Sequence, residues 1–157
     1  MDRLRNFGFL LKDISRLYTK RFEERAQEIG VTLPQCKALA YLSRNEGVNQ
    51  VRLAELTDID PMSLVRILDR MEADGWIERR FDPSDRRAKR LYSKSKAKPV
   101  LEEIRRVGDQ TRVETLGKLS AQQRDTLLDL LERLHVNLSE LEPIVPAAAR
   151  KSTRVSS

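Results

Sequence analysis

A mainly α-helical fold with one small β-hairpin is predicted by three observations. Apolar residues recur at spacings of three and four along most of the chain, the period switches to two once, near Trp76, and cap or turn residues fall between these runs. At 157 residues the chain suffices for one compact domain, or for two small modules sharing a core. A hydrophobic fraction of 39% supports that core although 34% of residues are charged. The single cysteine excludes an intramolecular disulfide framework and a cysteine-cage zinc site, and the single histidine excludes most histidine metal centres. No apolar run approaches the ~18 residues of a membrane span. The N-terminus leads into an amphipathic pattern without a secretory apolar core, so the chain reads as cytoplasmic.

The first helix is predicted over residues 6–28. Phe7, Leu11, Ile14, Tyr18 and Phe22 form its stripe, Leu10 and Leu17 widen it, and Gly30 terminates it. Thr32 and Gln35 have the spacing of a capping box, which opens a second helix to about Arg44, before Gly47. A short third helix over 51–57 turns Leu53, Ala54 and Leu56 inward. Asp58-Ile59-Asp60 makes a tight connection. Asp60 then caps a fourth helix, with Pro61 at its first position, where a missing N–H costs nothing.

From Trp76 the residues alternate to Phe81, predicting a strand. Asp82-Pro83-Ser84-Asp85 supplies turn chemistry, and residues 88–93 return as the second strand. Residues 95–117 are helical again, with Val100, Leu101, Ile104 and Val107 apolar, Pro99 in the first turn, and Ser93 or Ser95 available as a cap. Ser120 and Gln123 form another capping box. The helix it opens carries Leu127, Leu131, Leu134, Leu138 and Leu141 as a seam for packing against other helices, and Pro143 ends it.

Charge is concentrated. Residues 79–98 hold nine Lys and Arg against Asp82 and Asp85, so 9 − 2 gives +7 there, while the whole chain carries +6. Such a block is an electrostatic footprint for a polyanion. Two helices joined by a short turn, followed by a hairpin with a basic tip, describe a winged helix-turn-helix. In the fourth helix Leu64, Val65, Leu68 and Met71 face inward, while Ser63, Arg66, Ile67 and Arg70 face outward. Arg66 can offer a bidentate fork to guanine, and Ser63 can reach a phosphate or base edge. At the hairpin tip, Arg86, Arg87 and Lys89 can approach a narrow minor groove, with Asp85 orienting one guanidinium. Double-stranded DNA is the predicted partner. The competing reading is a winged-helix module that docks RNA or protein without operator specificity. RNA recognition favours exposed aromatics, and the basic stretch has only Phe81 and Tyr92, both of which can face the core.

The run Pro61 to Glu72, then Gly75-Trp76-Ile77-Glu78-Arg79, then Asp82 to Arg90 with its Asp-Arg-Arg-Ala-Lys-Arg wing, resembles the MarR family, particularly its SlyA-like branch. The resemblance covers about residues 6–141. It implies that Arg66 reads a base, that Arg87 enters the minor groove and that Asp85 orients it. It also implies a homodimer whose first and last helices interlock, with transcription controlled by small phenolic or aromatic acids. Residues 1–31 then form an N-terminal dimerisation helix and 32–94 the winged helix-turn-helix. Residues 95–142 form C-terminal dimerisation helices, and 143–157 a disordered basic tail. Ser93-Lys94 departs from the Leu-Thr pair that usually follows the second wing strand. Arg16, Thr32, Gln35 and Cys36 are the expected lining of an effector crevice, where Arg16 would pair with a carboxylate.

No enzyme pattern emerges. Cys36 lies among apolar neighbours and reads as a buried inert thiol. His135 forms no nucleophile–base pattern, and the six glycines are too scattered for a phosphate loop. No cofactor or metal is expected.

Overall fold

The structure is a computed structural model that describes residues 3–144. It divides into two compact units, residues 1–115 and 116–157. The first unit starts with a 3-10 turn, Arg3–Asn6, and helix α1, Phe7–Glu28. A Schellman motif ends α1. Val31 N–H donates to the Ala26 carbonyl, Gly30 N–H donates to Gln27, and Gly30 takes a φ of 70° that a side chain would resist. Helix α2, Leu33–Arg44, opens on the Thr32–Gln35 capping box, both halves of which are formed. Strand β1, Val48–Asn49, follows, and the Asn49 side chain caps α3, Gln50–Thr57. Asp58, at φ 52°, ends α3, and Asp60 caps α4, Pro61–Ala73, through Ser63 N–H at 2.9 Å.

Strands β2, Ile77–Phe81, and β3, Lys89–Ser93, form the antiparallel hairpin, with Arg79 opposite Leu91 and Phe81 opposite Lys89. β1 adds to the far side of β3, giving the order β1-β3-β2. A 3-10 turn, Ser95–Ala97, leads into α5, Lys98–Leu116. One core joins these elements. Leu39, Leu42, Leu53, Leu64, Leu68, Met71, Ile77 and Leu91 are all essentially inaccessible. Each such side chain contributes about 1.5–3 kcal/mol by leaving water. The three buried residues of α4 stand at i, i+4 and i+7, so this helix has one face locked in and the opposite face outside.

Several expectations change. β1 was not predicted, because two residues carry no readable period. Thr57 is buried and Leu56 only half-buried; the Thr57 hydroxyl can go inside because it donates to the Leu53 carbonyl at 2.7 Å. Neither Ser93 nor Ser95 caps the chain after the wing. Lys94 occupies the cap position without a side-chain bond, and both the Ser93 hydroxyl and its N–H donate to the Glu46 carboxylate. Phe81 is not core-facing: it is 67% exposed, because β2 runs past the last buried layer.

The second unit contains α6, Ala121–Ser139, opened by the Ser120–Gln123 capping box. No residue of α6 is buried, and Leu128, Leu130, Leu131, Leu134 and Leu138 are exposed. The helix stops at Ser139, so Leu141 lies beyond it rather than in the seam. Most of the expected basic tail, residues 145–157, lies outside the described residues.

Candidate nucleic-acid interface

Helix α4 presents Ser63, Arg66 and Arg70 on its exposed side, and neither guanidinium has a partner among the described residues. Ile67 differs from the expectation. It is half-buried and packs on the core, so it flanks the outer face rather than standing on it. Met62, one turn before Arg66 and 71% exposed, belongs to this face and was missed. Its thioether offers the apolar contact that a thymine methyl favours; in the sequence it looked like one more apolar residue of an amphipathic helix.

Two consecutive turns that share Asp85 build the wing tip. Asp85 N–H donates to the Asp82 carbonyl at 3.3 Å, and Ala88 N–H donates to the Asp85 carbonyl at 3.1 Å. Arg86 and Arg87 are therefore the two central residues of the second turn. Their guanidinium groups have no partner among the described residues. Asp85 shapes this tip differently from the expectation: its carboxylate accepts the Arg87 backbone N–H at 2.9 Å, not a guanidinium. This is an Asx turn, in which the side chain fixes the loop.

The carboxylate that does hold a wing arginine is Asp82. One oxygen accepts Ser84 N–H and hydroxyl, at 2.9 and 2.7 Å, and the other accepts Arg90 Nε at 2.7 Å. The Ser84 bonds, and then Arg90, stabilise the charged form and lower the Asp82 pKa to about 2.

Tertiary contacts thus sort the basic block. Arg79, with only 12% of its side chain exposed, bridges Asp69 at 2.7 Å and Glu72 on α4. Arg80 pairs with Glu78 and stacks on Tyr92, 4.3 Å from the ring centroid. Arg90 is held by Asp82. These three brace the hairpin. Arg86, Arg87, Lys94, Lys96 and Lys98 stay free among the described residues, and Lys89 lies over Phe81.

The four expected effector residues do not converge. Thr32 and Gln35 line a cavity of about 760 Å³, together with Arg66, Arg70, Trp76 and Lys96. Arg16 lies instead on exposed α1, where it pairs with Asp13 at 2.6 Å and borders a separate depression. Cys36 is 2% exposed and does not line the cavity; burial pushes its thiol up to about 11, which keeps it protonated and unreactive. Among the described residues no group of three His, Cys, Asp or Glu could hold a metal ion, and no helix is long and apolar enough to cross a membrane.

The family model of the MarR family matches residues 29–88, from the end of α1 through the wing tip. The crystal structure of the transcriptional regulator SlyA is 31% identical, over 89% of this chain and 96% of that one, with a TM-score of 0.69. A probable transcriptional regulator from Pseudomonas aeruginosa is 28% identical over 81% and 95% of the two chains, with a TM-score of 0.67. A MarR mutant from E. coli, crystallised with operator DNA, shares the fold at 24% identity, covering 85% and 96%, with a TM-score of 0.71. With its wing, its exposed α4 face and this similarity along almost the whole SlyA chain, the protein belongs to the MarR family.

Proposed function

We propose that this chain is a sequence-specific double-stranded DNA-binding transcriptional regulator, of the SlyA-like branch, that acts as a homodimer on pseudo-palindromic operators. The observation that carries it is the pairing of two unpartnered arginine sets on one compact unit. Arg66 and Arg70 stand on the exposed face of α4, and Arg86 and Arg87 stand at a turn stiffened by Asp82 and Asp85. A helix with free arginines suits the major groove, and a basic hairpin tip suits the neighbouring minor groove. Ser63 and Lys89 add phosphate contacts in this reading. The branch assignment draws support from the Asp85-Arg86-Arg87-Ala88-Lys89-Arg90 wing and the 31% identity to SlyA.

Two apolar faces support the dimer. Phe7, Leu11, Ile14 and Tyr18 on α1, and Leu131, Leu134 and Leu138 on α6, are all exposed in the single chain. Faces of this extent mark an association surface.

The effector, a small aromatic or phenolic acid, would sit in the cavity beside α4. Arg66, Arg70 and Lys96 supply cationic donors, Trp76 supplies an aromatic wall, and Asp74 is the one carboxylate in the lining. An acid held there competes directly for the arginines that read DNA.

Selection from a random duplex pool should yield a pseudo-palindrome with half-site centres about one helical turn apart. An RNA pool carried in parallel separates the RNA-docking reading, which the exposed ring of Phe81 favours. Enrichment of RNA over duplex would overturn the assignment.

A further inference from the structure

The wing carries one large apolar side chain that the core does not use. Phe81 ends β2, is 67% exposed, and pairs across the hairpin with Lys89, whose ammonium lies 5.5 Å from the ring centroid. Residues 77, 79 and 81 share one side of the sheet. Ile77 is buried in the core and Arg79 reaches Asp69 and Glu72 of α4, so β2 runs back along that helix. Two further residues of strand advance about 7 Å. Phe81 therefore stands farther along the strand than Arg79, on the same side of the sheet, which is the flank of the wing that turns toward α4.

A helix in a major groove and a hairpin tip in the adjacent minor groove are separated by one sugar–phosphate strand. That strand must cross the trough between α4 and the wing. We infer that Phe81 and Lys89 form the saddle it crosses, a step that rests on the DNA-binding function proposed above. The ring offers the C–H surface of a deoxyribose an apolar seat. The ammonium, drawn to the ring face by the cation–π attraction, keeps its N–H donors for the phosphate. Phe81 is thus a positioning residue that carries no base information.

The full-length chain is titrated with its selected duplex and with an unrelated duplex over a range of salt. Loss of operator preference in Arg66→Ala first establishes the DNA reading; if wild type selects no duplex, that reading fails and not the saddle. Phe81→Ala should weaken binding about tenfold on both duplexes, the loss expected when part of a phenyl group stays wet. Its thermal midpoint should stay at the wild-type value, and Phe81→Tyr should restore binding. Hydroxyl-radical protection should vanish at the sugars between the two grooves. Lys89→Met should flatten the log K against log salt slope by about one per bound subunit, and by less when combined with Phe81→Ala. Unchanged affinity in Phe81→Ala, a loss confined to the operator, or additive effects in the double variant would overturn the saddle.

Discussion

Arg66 and Arg79 differ little as isolated side chains, yet their surroundings give them opposite tasks. Arg79 is clamped between two carboxylates of α4 and is nearly covered, whereas Arg66 is open and unpartnered among the described residues. Arg66→Ala should therefore remove about 1–3 kcal/mol of discrimination at one base pair per half-site and leave non-specific affinity nearly unchanged. Competition titrations with single-base operator variants measure this, and retained selectivity would exclude Arg66 as the reader. Asp85 permits a sharper test. Because its carboxylate accepts a backbone N–H, an amide oxygen can replace it. Asp85→Ala should loosen the tip and weaken binding, while Asp85→Asn should bind at least as tightly as wild type, having also lost a negative charge beside the phosphates. Equal weakening by both substitutions would show that the charge itself orients a guanidinium.

At the scale of elements, the hairpin depends on Asp82, which ties the first turn to β3 through Ser84 and Arg90. Its pKa, about 2, lies below the ordinary ~3.9 of an unfolded aspartate. The clamp is therefore fully present above about pH 4 and is lost as the pH falls toward 2. Wild type should lose more stability than Asp82→Asn between pH 5 and pH 2 in thermal unfolding, and parallel profiles would contradict the role. The same sign holds between α1 and α5, where Arg21 and then Arg25 hold the Glu114 carboxyl down to about 2. α1, α2, α4 and α6 were legible because their caps and stripes involve neighbours three or four residues apart. The wing tip was legible for a similar reason, since Asp-Pro-Ser-Asp writes its turn into four adjacent residues. β1 was not legible, because its only signal is pairing with β3, more than 40 residues away.

For the whole molecule, the exposed leucines of α6 are the feature that a single chain leaves unresolved. In a homodimer they become interface. Wild type should sediment at about twice the 18.2 kDa monomer mass, and Leu134→Asp should dissociate the dimer or unfold the chain. A folded Leu134→Asp dimer with full operator affinity would remove α6 from the interface.

By itself the sequence determined the helices with their caps, the one change of period, the position of the basic block and the family resemblance. All of these rest on interactions among near neighbours or on the order of residues. Tertiary structure alone decided which cations are free. Folding β2 back along α4 brings Arg79 to Asp69 and Glu72, and hairpin closure brings Arg90 to Asp82; neither meeting is written in local spacing. It also decided that Phe81 is outside, that Cys36 and Arg16 do not share a cavity with Thr32 and Gln35, and that Asp85 bonds backbone rather than guanidinium. Periodicity shows which face a residue takes, but how far the core extends beneath that face is set by the elements packed against it.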